Sequence, residues 1–131
     1  MTYLSLRSTP GSSRKRLLVD LAQHLDQPEQ FVFGYTRGRR LRRRLDLDAV
    51  DRLDEVVTIR FPSNVCLVTD IFLLGLLGQS MRTLGIAAFK DRFTIEGPNT
   101  PGPYHIASVL QRVMDVAAAR WNLAPNSLEQ D

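Results

Sequence analysis

At 131 residues and 14.8 kDa the chain has room for one hydrophobic core, and its 44% hydrophobic and 24% charged residues fit a globular domain rather than a disordered or fibrous chain. The longest apolar run, Ile71 to Leu77, is broken by Gly75 and falls far short of the roughly 20 residues a membrane helix needs, so no membrane span is expected. The single cysteine, Cys66, cannot form an internal disulfide, which makes a reducing cytoplasm the default compartment.

The charge is unevenly placed. Residues 1 to 44 carry ten Lys/Arg against three Asp/Glu, whereas residues 45 to 131 carry seven against eleven. Fifteen of the seventeen cations are arginine, the side chain whose planar fork suits carboxylates and phosphates.

In chain order, Thr2 to Arg7 alternates polar and apolar residues and ends at Pro10-Gly11, the pattern of a short strand and turn. Ser12 or Ser13 can cap a helix running to about Asp26, with Leu17, Leu18, Leu21, Ala22 and Leu25 at helical spacing. Pro28 stops it, and Phe31 to Thr36 then reads as a strand. The spacing of Leu41, Leu45, Ala49 and Leu53 predicts one helix from Arg37 to about Leu53.

Val56 to Phe61 is a strand closed by Pro62, and Val65 to Val68 is a strand or extended lead-in. Thr69 can cap a helix from Asp70 to about Thr83, in which Leu73, Leu76, Leu77, Ser80 and Leu84 share a face. Gly75 and Gly78 allow close backbone approach on another face, and Gly85 is a stop signal. Phe93 to Glu96 is a further strand. The proline-rich loop Gly97 to Pro103 leads into a last helix, Pro103 to about Trp121, with a stripe of Ile106, Leu110, Val113, Ala117 and Trp121. Alternating strands and helices predict a single-domain layered fold of the α/β (or α+β) class, a small mixed β-sheet packed by helices.

The stretches TRGRRLRRRL, EVVTIRFP, LVTDIFLLGLLG and FKDRFTIEG, spanning Thr36 to Gly97, together resemble a STAS-like domain family. The resemblance covers about half of the chain, by pattern rather than by an invariant motif. It implies an α/β core over 31–121, whereas the strand and helix read at 1–30, integrated in the same domain, have no counterpart in it, and the tail at 122–131 is expected to be flexible. It further implies a regulatory, non-enzymatic module that docks on a protein partner, such as a histidine-kinase-like ATPase or another regulator. In that family the switch is a phosphorylated Ser or Thr at the start of the helix after the central strand, which here is Thr69, beside Asp70. The usual Asp-Ser-Ser before that helix is replaced by Val68-Thr69-Asp70.

From the residues themselves, Thr69 and Asp70 sit where helix N–H groups and the dipole favour negative charge. Capping is the ordinary use of such a pair. Arg37, Arg39, Arg40, Arg42, Arg43 and Arg44 fall within eight residues at the expected beginning of a helix, where positive charge opposes the dipole. Asp46 and Asp48 can pair with part of the cluster. The remainder is open to an acidic protein surface, to the phosphates of a nucleic acid, or to solvent alone. Tyr35 is the aromatic residue closest to the cluster in sequence.

No catalytic set, cofactor cradle or metal-ligand spacing is recognisable. His24 and His105 stand alone, and Cys66 lies in an apolar stretch that predicts a buried, inert thiol. An enzyme would require Asp70, Asp91, Glu96 and His105 to converge. Oligomeric state is open, because Val56 to Phe61 and the glycine-bearing helix serve equally as monomer core or as the surface of a homodimer.

Overall fold

The computed structural model describes residues 14–25 and 29–124. The strand expected at Thr2 to Arg7 and the tail beyond residue 124 lie outside the described residues.

Three strands form the central sheet: β1 (Arg16–Asp20), β3 (Val56–Arg60) and β5 (Phe93–Glu96), in the order β1-β3-β5. Both pairings are parallel, and so is the pairing of the short strands β2 (Phe31–Val32) and β4 (Leu67–Val68). Five helices pack on these sheets: α1 (Tyr35–Leu45), α2 (Leu47–Arg52), α3 (Asp70–Leu84), α4 (Ile86–Arg92) and α5 (Ile106–Trp121). The architecture is α/β, as the alternation of strand and helix patterns predicts.

Register separates the two faces of the central sheet. Leu17, Val57 and Phe93 align, as do Val19, Ile59 and Ile95, and this face carries the buried side chains. The other face carries Leu18, Thr58 and Thr94, then Asp20, Arg60 and Glu96, with an Arg60–Glu96 ion pair at 2.7 Å. Period-two alternation puts those residues on the open side. Val57, Ile59 and Phe61 are therefore monomer core, together with Phe72, Leu73, Leu76, Leu77, Met81 and Phe89.

Four sequence expectations are corrected. The segment expected as a helix to Asp26 is instead β1 followed by one 3₁₀ turn, Leu21–Gln23. Leu17, Leu18 and Leu21 fit a helical stripe, but parallel pairing with Val56–Arg60 gives the backbone a ladder and puts Leu17 and Val19 on the core side. The strand expected to reach Thr36 ends at Val32, because Gly34 turns the chain at φ 103° and α1 begins at Tyr35. The single helix expected from Arg37 to Leu53 is two helices, broken at Asp46 with φ 53°. Helix α4 has no counterpart among the predicted elements. It restarts directly after Gly85, whose φ is 86°.

Helices α1 and α3 cross in unusually close contact. A Cβ added to Gly38 would lie 2.3 Å from the Phe72 carbonyl oxygen, and one added to Gly75 would lie 2.3 Å from the Tyr35 carbonyl oxygen. The close approach expected of Gly75 is thus made onto the arginine-bearing helix. Buried Arg92, from the end of α4, donates to the carbonyls of Val50, Asp51 and Glu55. It thereby satisfies helix-end acceptors at the C-terminus of α2.

No single helix is long and apolar enough to cross a membrane among the described residues.

Candidate anion-binding groove

The six clustered arginines have three different fates, because one residue advances an α-helix by about 100°. Arg42 points inward and is 5% exposed. Its Nη1 donates to the Leu76 carbonyl (3.0 Å) and to Ser80 Oγ (2.8 Å), and its Nη2 donates to Asp51 Oδ2 (2.7 Å) and Asp48 Oδ1 (2.8 Å). Ser80 Oγ in turn donates to Asp51 Oδ1 at 2.7 Å, which closes a buried ring of charge and hydrogen bonds. The expectation that Arg42 offers itself to a partner is therefore corrected: its donors are spent on the core.

Arg37, Arg40 and Arg44 face the 3₁₀ turn, where with His24, Leu25, Leu41 and Phe72 they line a small cavity of about 40 Å³. Arg37 pairs with Glu29, and Arg44 donates to the His24 carbonyl at 2.8 Å. Arg39 and Arg43, one turn apart, point the other way into a groove of about 720 Å³.

That groove gathers arginines from four helices: Arg39, Arg42 and Arg43 of α1, Arg52 of α2, Arg82 of α3 and Arg120 of α5. All but Arg42 are exposed. Buried Leu74 and Gly75 and exposed Gln79 and Thr83 line the groove as well, and Tyr35 and Trp121 supply aromatic surface. The guanidinium carbons of Arg82 and Arg120 lie 5.6 Å and 5.8 Å from the Trp121 ring centroid, within cation–π range. Two carboxylates, Asp48 and Asp51, also line the groove, and both accept from Arg42.

Arg52, Arg82 and Arg120 are missed by a search for local charge runs. They stand 30 or more residues apart, and tertiary packing alone unites them. One signal is present in the sequence: each occupies the last turn of its helix, as Arg43 does. A cation there complements the helix dipole. The expected conflict between the arginine cluster and the dipole is correspondingly reduced, since α1 ends at Leu45 and its last turn holds Arg42, Arg43 and Arg44.

Dipole complementarity accounts for part of the charge only. Four helix ends at roughly half a negative charge each amount to about two charges. Six arginines against two carboxylates leave a surplus of four, about two more positive charges than those helix ends complement.

Thr69 and Asp70 are at the opposite end of α3 from Arg82, about 18 Å away by the helical rise. Thr69 is the N-cap: its Oγ1 accepts from the Phe72 N–H at 3.2 Å. Asp70 accepts two bonds from Arg112 of α5, at 2.8 and 3.0 Å, and this hydrogen bonding raises the Arg112 guanidinium above its ordinary value. The candidate switch residues and the arginine groove are therefore separate places on the fold.

The other residues of interest do not converge. Asp91 pairs with Arg14 and Glu96 with Arg60, while His105 caps α5 by accepting from the Ala107 N–H through Nδ1. Cys66 is exposed, with Sγ 3.7 Å from the Asn64 carbonyl, which corrects the expectation of a buried thiol. Its side chain points away from the core because β4 begins only at Leu67, and Val65 and Val68 take the inward positions. Among the described residues, no three His, Cys, Asp or Glu side chains are grouped to hold a metal ion.

Comparison with known proteins finds no match: no protein-family model, no curated protein and no solved structure is significantly similar to the chain.

Proposed function

We propose that the protein is a non-enzymatic binding module that docks an anionic macromolecule in the groove between α1, α2, α3 and α5. The observation that carries this reading is the convergence of five exposed arginines from four helices on one concavity of about 720 Å³. Guanidinium groups stay protonated in proteins and have no acceptor, so they bind and orient anions rather than exchange protons. The carboxylates of the groove are held by Arg42 and are poorly placed to act as acid or base.

A STAS-like regulatory role is compatible with this reading, with one change of emphasis. The docking surface is placed at the C-terminal end of α3 rather than at Thr69. The oxygen of Thr69 already accepts from the Phe72 N–H, and a phosphate added there would be favoured by the helix dipole but opposed by the adjacent Asp70.

Titration of the isotopically labelled protein with sodium tripolyphosphate, followed through arginine Nε–Hε NMR correlations, tests the proposal. Arg39, Arg43, Arg52, Arg82 and Arg120 are expected to shift along one saturation curve while Arg16 and Arg60 stay still. Shifts scattered over all surface arginines would contradict a defined groove.

A further inference from the structure

The chemistry of the groove lining goes further than its charge. Resting on the anionic-groove reading above, we infer that the ligand is single-stranded nucleic acid, held by its phosphates on the arginines and by its bases on Trp121 and Tyr35. Arg39 and Arg43 are four residues apart on α1, which puts their Cβ atoms about 5–6 Å from each other. They can engage neighbouring phosphates of one extended strand. Arg52, Arg82 and Arg120 continue the cationic lining on the other helices.

Three features of the lining bear on the choice between this ligand and an acidic peptide. The cations of the groove are all arginine, whose fork makes two parallel bonds to phosphate oxygens. Arginine alone would serve carboxylates equally well, so the aromatic rings matter more. Trp121 is half-buried, with Arg82 and Arg120 beside its ring and its Cη2 edge toward Gly78, and Tyr35 is exposed; both border the cationic lining, where acidic side chains have no aromatic ring to stack on them. Bases stack on such rings in single-strand binding, each with appreciable affinity and little dependence on sequence.

The third feature is the balance of the lining. Nucleic-acid interfaces are more polar and much more positively charged than protein–protein ones, and here arginines dominate while the aliphatic lining is reduced to Leu74 and Gly75. Gln79 and Thr83 add donors and acceptors for sugar and base edges. A duplex keeps its bases paired inside and cannot lay their faces on Trp121 or Tyr35. The concavity therefore selects an unpaired strand.

Trp121 is the only tryptophan of the chain, so its fluorescence reports on this groove alone. The full chain is titrated with an oligothymidylate of about ten nucleotides, within the site sizes known for single-strand binders. Parallel titrations use the ribose counterpart, a duplex of the same length and poly-L-glutamate. Either single strand is expected to bind in the micromolar range at low salt and to quench Trp121, with affinity falling steeply as salt rises. Poly-L-glutamate and duplex are expected to bind at least tenfold more weakly. The double variant Arg82→Glu/Arg120→Glu, verified as folded by circular dichroism, is expected to lose the quenching.

If poly-L-glutamate or duplex binds as tightly as the single strands and changes Trp121 emission, the single-strand inference is overturned and the anionic groove stands; if a strand binds without changing Trp121 emission, it binds outside the groove and the inference is overturned. If none of the polyanions binds, both fall.

Discussion

Arg42→Met is expected to lower the free energy of unfolding by about 3–5 kcal/mol, the cost of breaking a buried ion pair from one side. Asp51 is 6% exposed and Ser80 fully buried, so without the guanidinium the Asp51 carboxylate keeps only the Ser80 hydroxyl. The Leu76 carbonyl also loses its side-chain donor. Asp48, with a side chain two-thirds exposed, returns to water at little cost and is a minor term. The companion variant Arg42→Met/Asp51→Leu removes both charges and is expected to recover part of the loss, since apolar groups of similar size often replace buried ion pairs at no net cost, although buried Ser80 then loses both of its side-chain partners. Urea denaturation midpoints check both. A loss below about 1 kcal/mol for Arg42→Met would mean that the ring of bonds among Arg42, Asp51 and Ser80 contributes no net stability.

The second large effect has an unexpected sign. Alanine is favoured over glycine in helix interiors by about 0.5–1 kcal/mol, so propensity alone predicts that Gly38→Ala and Gly75→Ala are stabilising. The added Cβ atoms would instead strike backbone oxygens 2.3 Å away on the facing helix. Backbone cannot turn aside as a side chain can, so α1 and α3 must separate along their crossing. Overpacking of this kind costs about 1–3 kcal/mol and more where nothing yields. Each variant is expected to lower Tm by several degrees in a calorimetric scan. Gly78→Ala is the control: its Cβ would meet only side-chain atoms, Leu74 Cδ1 at 3.1 Å and Trp121 Cη2 at 3.2 Å, and its effect is expected to be smaller. A rise in Tm for Gly38→Ala or Gly75→Ala would contradict the packing.

Much of the fold was legible because several elements carry a strong local pattern. Helices α3 and α5 have long stripes and clear end signals, and strands β3 and β5 are short β-branched or aromatic runs. Where two periods fit, tertiary pairing decided. The run RLLVD became a strand because β3 lies beside it. The break at Asp46 was hidden because Leu41, Leu45, Ala49 and Leu53 continue a helical spacing across it. Yet the inward residues of α2 are Leu47 and Asp51, while Leu53 is half exposed.

The site was legible by halves. The arginine cluster is plain in the sequence, but the division of its members between core, 3₁₀ turn and groove follows from the helix axis. That Arg42 is the buried one depends on Asp51 and Ser80, residues 9 and 38 positions away. The recruitment of Arg52, Arg82 and Arg120 beside Trp121 depends on how four helix ends meet.

That meeting of helix ends is the centre of the functional account, and a pair of charge reversals tests it most directly. Arg39→Glu/Arg43→Glu is compared with Lys15→Glu/Arg16→Glu, which makes the same change in net charge at exposed positions outside the groove. Affinity for heparin is measured for both at low salt, alongside the unfolding midpoint. The groove variant is expected to lose at least tenfold, about 1.4 kcal/mol, with its midpoint lowered only slightly by the loss of a cation from the last turn of α1, and the control variant close to the parent protein in affinity. Equal losses in the two variants, or none in either, would contradict a groove built to hold an anionic partner.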